Sequence, residues 1–334
     1  MTAFMPVGAM SDQQVRSVLT AAAAAPSLHN SQPWRFNCTP LAIEIHADLD
    51  RSLIAADPDH HAVRLSCGAA LLNLRLAIRT LGFDTDVRVL PNPKMPTLLA
   101  TVRPAGPIRF SQSDARLASA ILRRHTNRRP FLNEPVPAAV RNRLRTATRA
   151  EQAWLAIIGP AQQPELRELL TTAHRIQQDD ASFMAEWEAW TAHAADTEAG
   201  VPARSSGPLP EQQDLLVLRD FSAGSARTRL AGKDFEQDPL VVVIGSFHDL
   251  PLAQIQAGQA MQRMLLTATA AGLSASFLSQ VVEIAQTRQR LRELIGGGLW
   301  PQAVVRLGYG TPAPPTPRRD LATVVSVQAA SSAS

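Results

Sequence analysis

Val15, Val18, Leu19 and Ala22 recur at the spacing of one helix face behind a Ser11/Gln14 capping box, and Pro26 closes the run. Trp34 and Phe36, then Leu41, Ile43 and Ile45, alternate as strand residues do, with Pro40 as the turn between them. Ala62–Leu81 reads as a helix with apolar residues over most of its surface, stopped by Gly82. A helix apolar on every side has no solvent face, which predicts a buried central position. Asp86–Leu90 and Leu98–Val102 carry strand patterns, and a helix over Asp114–Arg123 follows them. Val140, Leu144 and Ala147 mark another helix, Trp154–Ile158 a strand, and a further helix begins near Pro164. Val241–Ile244 is a short apolar strand, Leu252–Ala271 a second mostly apolar helix ended by Gly272, and Ala303–Leu307 a last strand. Residues 175–235 differ: Trp187, Trp190 and a Pro/Gly/Ser stretch at Val201–Pro210 lie among polar residues with broken periodicity.

The two apolar helices align without a gap. Gly68, Leu71, Leu74 and Gly82 fall opposite Gly258, Met261, Met264 and Gly272, with both glycine pairs 14 residues apart. Upstream, Val15, Leu19 and Ala22 fall opposite Val140, Leu144 and Ala147, and Trp34 opposite Trp154. This predicts a degenerate internal duplication, helix periodicity alone being the competing source of such matches. Trp34 precedes Gly68 by 34 residues but Trp154 precedes Gly258 by 104, so the second unit carries a 70-residue insertion. The expected units are 1–120 and 121–325, with the insertion at about 175–235 and a flexible tail at 326–334.

At 334 residues and 45% hydrophobic, the chain is long enough for a large core, which excludes a disordered protein or a small disulfide-stapled scaffold. A net charge of +4 is too small to argue for nucleic acid. The charge is unevenly spread: residues 1–150 hold 19 Arg/Lys against 10 Asp/Glu. Only Lys94 and Lys233 are lysine, so any anion site would be built from guanidinium groups, although an Ala- and Arg-rich codon usage yields the same bias. Cys38 and Cys67 have no metal-ligand spacing. The opening MTAFMPVGAMSD lacks a basic region followed by an apolar run, and no stretch nears the roughly 18 apolar residues of a membrane span. A cytoplasmic protein is expected.

The loop Ala25-Pro26-Ser27-Leu28-His29-Asn30-Ser31-Gln32-Pro33-Trp34 joins a helix to a strand. Its prolines fix the backbone, and Ser27, Asn30 and Gln32 offer hydrogen bonds to a planar heterocycle, or simply make a connecting loop. Arg123–Arg129 is a basic cluster that reads either as an anion clamp or as a solvated helix end. His60-His61 after Asp57-Pro58-Asp59 reads as a solvated turn rather than a metal site. Gly296-Gly297-Gly298 lacks the lysine and strand of a phosphate loop, and Trp187 and Trp190 read as packing residues.

The loop resembles the A-P-S-x-x-N-x-Q-P-W signature of the nitroreductase family, FMN-dependent enzymes of α+β fold that are usually homodimers. That family also has an R-x-[ST]-x-[RK] motif near its N-terminus, which holds the FMN phosphate. The chain has no such motif there, but carries one at Arg124-His125-Thr126-Asn127-Arg128. Together with the ending Pro301–Gly310 and Arg318-Arg319, this is most similar to the Acg-type nitroreductase-related proteins of actinobacteria. The resemblance spans roughly residues 12–320. It implies a nitroreductase-like α+β fold of two degenerate repeats fused as a pseudo-dimer, with central helices packed against mixed or antiparallel sheets. The first repeat keeps the flavin loop and the second the phosphate clamp, so one FMN site is expected between the halves.

Carried over, the resemblance places Pro26, Ser27, Leu28 and Asn30 on the isoalloxazine and ribityl portions, with His29 and Gln32 on the same side of the site. Arg124, Thr126 and Arg128 would bind the phosphate, with His125 as a backbone or ring contact. Arg318 or Arg319 would supply a further cation, and Ser279 and Gln280 would meet the pyrimidine edge. No catalytic side chain and no metal are implied. Two functions follow: an NAD(P)H-dependent reductase of nitro compounds or quinones, or an FMN-sequestering or redox-sensing protein whose insertion forms a lid. A monomer acting as an intramolecular pseudo-dimer, with no nucleic-acid or membrane partner, is expected. A flavin-free alternative is an Arg-rich binding module for an acidic partner.

Overall fold

The chain is described here by a computed structural model covering residues 4–193, 197–211, 214–224, 236 and 239–328. Parts of the expected lid (194–196, 212–213, 225–235) and of the tail (329–334) lie outside the described residues. The first unit runs α1 (Asp12–Ala23), β1 (Trp34–Cys38), β2 (Ile43–Ala47), α2 (His61–Thr80), β3 (Phe83–Val89), β4 (Leu98–Pro107) and α3 (Gln112–Ala120). The capping box starts α1: Ser11 Oγ accepts from Gln14 N at 3.3 Å, and Ser11 N donates to Gln14 Oε1 at 2.9 Å. Gly82 leaves α2 at φ +88, a conformation a side chain rarely adopts.

The second unit runs α4 (Ala138–Arg149), β5 (Trp154–Ile157), α5 (Gln163–Gln178), α6 (Ala181–Trp190), β6 (Thr191–His193), β7 (Val201–Pro202) and β8 (Leu240–Ser246). It continues with α7 (Pro251–Ala270), β9 (Ser274–Phe277), α8 (Gln280–Glu283), α9 (Ala285–Leu294), β10 (Trp300–Gly308) and β11 (Val325–Val327). The pattern-based reading missed β9, α8 and α9. In β9 the small residues Ser274, Ala275 and Ser276 leave no alternation to detect, and only Thr287 and Leu291 of α9 are buried. The broken pattern of the insertion hides α6, whose start Asp180 caps by accepting from Ser182 N at 2.8 Å.

Two sheets flank the central helices. The first has the order β11-β1-β2-β4-β3 and the second β5-β8-β10-β9. Counting in chain order only the strands of each sheet, and setting β11 aside, both read first-second-fourth-third, antiparallel throughout. Val325–Val327 adds to β1 in parallel, so Ser326 and Val327 belong to a strand rather than to a free tail. The fold is α+β with mixed and antiparallel sheets, as expected. In the second sheet the first and second strands, β5 and β8, are separated along the chain by a long segment that includes residues 175–235.

Helices α2 and α7 cross at Gly68 and Gly258. A Cβ on Gly68 would meet Ile255 O at 2.2 Å, and one on Gly258 would meet Leu65 O at 2.1 Å. The backbones therefore touch there, which only two glycines permit. Val15, Leu19, Leu71, Leu74, Met261, Met264 and Leu265 join the surrounding core. Asn73 Oδ1 accepts from Gln262 Nε2 at 2.8 Å across the same pair of helices. Among the described residues no helix is long and apolar enough to cross a membrane.

Candidate functional site

The segment Ala25–Gln32 leaves α1 and turns sharply: His29, Asn30 and Gln32 have φ of 47, 57 and 52. Such left-handed conformations cost of order 1–3 kcal/mol per residue outside glycine and persist only where the surroundings hold them. Ser27 Oγ accepts from Gln32 N at 2.9 Å. Asn30 Nδ2 donates to Gly200 O and Pro317 O, each at 3.1 Å, and Gln32 Nε2 donates to Glu198 O at 2.8 Å. Asn30 and Gln32 therefore tie the loop to the insertion and to the C-terminal segment, while Pro26, Ser27, Leu28 and His29 line a cavity of about 240 Å³.

The far wall of the cavity comes from the second unit. Asn127 N donates to Ala275 O at 2.8 Å, which docks the Arg124–Arg128 segment beside β9. Thr126, Arg128, Ser279 and Gln280 line the cavity; Arg124, His125, Arg318 and Arg319 do not. The insertion supplies Ser206, Pro208, Leu218, Arg219 and Phe221 to the same cavity. Arg219 Nη1 donates to Ser279 Oγ at 3.1 Å, and Gln280 Nε2 donates to Val217 O at 2.9 Å. Trp187 stands edge-on to His29 at 4.9 Å and lies 4.6 Å from Phe221, so it packs on the first unit's loop.

The electrostatics are unusual. Arg124 is buried and Arg128 and Arg318 are partly buried, and desolvation pulls their guanidinium pKa values down to about 9, 10 and 10. No carboxylate of the described residues raises any of the three; the neighbouring charges are Arg318 beside Arg124 and Arg306 beside Arg128. Arg318 donates to the carbonyls of Ala23, Ala24 and Ala25 at 3.0–3.2 Å, satisfying the otherwise unpaired carbonyls at the C-terminal end of α1, and Arg124 reaches Ala24 O at 3.4 Å. Among the described residues Arg124 Nε has no partner, and the same holds for both ring nitrogens of His29. Buried cations are ordinarily paired. This set of guanidinium groups, bonded to carbonyls but to no carboxylate of the described residues, therefore fits an anion of more than one charge, such as the phosphate of a mononucleotide cofactor. Arg319, by contrast, is paired with Asp48 at 3.2 Å, and its backbone N–H binds Gln32 Oε1 at 2.9 Å.

Sequence reasoning missed other residues of the cavity wall: Asp57, His61, Arg219, Glu283, Arg288 and Arg306. His61 is not part of a solvated turn. It opens α2, binds Gln302 Oε1 through Nε2 at 2.7 Å, and burial lowers its pKa to about 4. Arg306 carried a signal in the sequence, a charge within the apolar run of β10; it is 1% exposed and ion-paired with Glu236. Arg219 forms a buried ion pair with Glu283, which also accepts from Gln177 Nε2 at 2.7 Å. Among the described residues no cluster of three His, Cys, Asp or Glu side chains could hold a metal ion.

Comparison with known proteins places the chain. The nitroreductase family profile matches residues 121–309. A Mycobacterium tuberculosis protein named "Putative NAD(P)H nitroreductase Rv3131" is 35% identical over 318 residues, covering 94% of this chain and 91% of that protein. Another from the same organism, "Putative NAD(P)H nitroreductase acg", is 33% identical over 332 residues, covering 97% and 99%. A solved nitroreductase with bound FMN from Desulfitobacterium hafniense DCB-2 aligns with 64% of this chain and 98% of its own, at 13% identity and a TM-score of 0.42. With near-complete coverage by relatives at this identity, the chain belongs to the nitroreductase family.

Proposed function

We propose that the chain is a flavoprotein that binds one FMN between its two units and reduces nitro compounds or quinones at the expense of NAD(P)H. The observation that carries this reading is the set of guanidinium groups around the Pro26–Asn30 loop, Arg124 buried and Arg128 and Arg318 partly buried, held without carboxylate partners among the described residues. The identical strand order of the two sheets and the reciprocal Gly68/Gly258 crossing support an ancestral duplication, a pseudo-dimer in one chain. FMN, when bound, supplies the hydride chemistry. The protein's part is to hold the phosphate by charge-assisted hydrogen bonds, to seat the ring against Pro26–His29, and to exclude water with the insertion.

A second reading has its own support. Leu218, Arg219 and Phe221 of the insertion line the cavity, and the insertion holds Ser279 and Gln280 by hydrogen bonds. A lid in that position favours sequestration or redox sensing of FMN over free exchange of donor and acceptor. Anaerobic mixing of yellow holoprotein with NADH or NADPH separates the two. Bleaching of the oxidised-flavin band, reversed by a nitroaromatic or a quinone, is the expected result. A band that persists for minutes overturns the reductase reading in favour of sequestration.

The anion role of Arg124 has a distinctive sign. Arg124→Met removes a buried cation with no carboxylate partner, so the urea midpoint of the apoprotein should stay level or rise. FMN affinity should fall by about 1.5–3 kcal/mol, measured by fluorescence titration, since a charge-assisted bond to phosphate is lost. Unaltered affinity would move the phosphate site elsewhere.

A further inference from the structure

The α2 side of the cavity is built from acceptors whose own protons are already committed. Gln302, on β10, is fully buried, and its amide nitrogen donates to Ser246 Oγ at 2.8 Å and to Asp249 Oδ1 at 3.1 Å. Ser246 spends its hydroxyl proton on His248 O at 2.7 Å, so it can only accept from Gln302. Asp249 is clamped by Arg288, both oxygens receiving bonds of 2.7 Å. The amide orientation is thus fixed, and Gln302 Oε1 must face His61 and accept its Nε2–H at 2.7 Å. The remaining nitrogen, Nδ1, carries the lone pair. Burial keeps this imidazole neutral, with its pKa lowered to about 4.

Two neighbours on the same wall have the same character. Asp57 accepts from Ala62 N at 2.9 Å and Val63 N at 3.0 Å; burial raises its pKa to about 6, so it is an acceptor on both oxygens above that pH and partly a donor below it. Ser66 donates its hydroxyl to Ala62 O at 2.6 Å, leaving Oγ as an acceptor. Asp57, His61 and Ser66 all line the cavity.

We propose that this wall is a specificity subsite for a substrate carrying an O–H or N–H donor, in the class of phenols and hydroxyquinones, with His61 Nδ1 as its acceptor. The inference rests on the flavoprotein oxidoreductase reading. His61 acts as a specificity-determining residue, and Gln302, Asp249 and Arg288 position it by locking its tautomer.

The test pairs two nitroaromatics that differ only in the donor, 4-nitrophenol kept protonated at pH 6 and 4-nitroanisole. Binding to oxidised holoprotein is followed by perturbation of the flavin absorbance. The wild type should bind the phenol at least tenfold more tightly. His61→Phe should abolish the difference, and His61→Asn, which keeps an acceptor near the Nδ1 position, should restore part of it. Equal affinities in the wild type, or no binding of either compound, would overturn the proposal. A His61→Phe protein that no longer retains FMN would assign Nδ1 to the cofactor, and would overturn it too. The 15N shifts of the His61 ring are independent of flavin: a lone-pair nitrogen at Nδ1 at neutral pH is expected, and a protonated Nδ1 would refute the lock even in colourless protein.

Discussion

Glu283→Ala should cost about 3–5 kcal/mol locally, the usual penalty for stranding the partner of a buried ion pair. The side chains of Arg219 and Glu283 are 4% and 6% exposed. Arg219 has another route to relief, because it belongs to the insertion. Lifting the insertion hydrates the guanidinium without unfolding the core, so most of the penalty should appear as an opened insertion. The expected signature is faster protease cleavage within the insertion and stronger quenching of bound flavin fluorescence by an added quencher, with a nearly unchanged urea midpoint for the core. Arg219→Met/Glu283→Ala should be milder than the single Glu283→Ala change, because the two residues form one interaction. Undiminished shielding in Glu283→Ala would mean that the ion pair does not hold the insertion over the cavity.

Gly258→Ala is the second large effect, and it falls on the core. Its Cβ would lie 2.1 Å from Leu65 O and 3.0 Å from Gly68 Cα, both backbone atoms that no rotamer change can move aside. Either α2 and α7 separate, opening the packing of Leu71, Leu74, Met261 and Met264, or the variant does not fold. A loss of about 3 kcal/mol, at the upper end of overpacking costs, is expected in urea unfolding. Gly68→Ala should behave alike. Gly106→Ala, where an added Cβ meets nothing within 4 Å, serves as the control and should change little. Normal stability of Gly258→Ala would mean that the helices part without penalty, and the reciprocal crossing would then be no constraint on the fold.

The crossing also shows how far the sequence could be read. Aligning Gly68 with Gly258 identified two equivalent helices from apolar periodicity and the spacing of their glycines. That the two glycines are in contact was not legible, since no local pattern says which buried helices meet. The Ser11 cap, the Gly82 and Gly272 stops and the strands around Trp34 and Trp154 were legible, because each rests on interactions spanning a few residues. The helix α6 was not read, although Phe183, Met184, Trp187 and Trp190 stand at helical spacing, because the run is only ten residues long and lies among segments without periodicity. That it covers the loop and the Leu53–Ala56 surface shows only in the tertiary structure.

By itself the sequence determined most of the local elements, the α+β class through its family resemblance, the loop Pro26–Gln32 and the basic segment Arg124–Arg128. Tertiary structure alone decided which of those groups share a cavity and which are turned to hold the chain together. Asn30 bonds to residues 170 and 287 positions away, and His61 owes its tautomer to Gln302, 241 positions away. The reason is physical. Helix and strand propensity arise from neighbours within about four residues. Burial, the lack of a carboxylate beside Arg124, and the direction of a proton on His61 depend instead on every segment that packs around them.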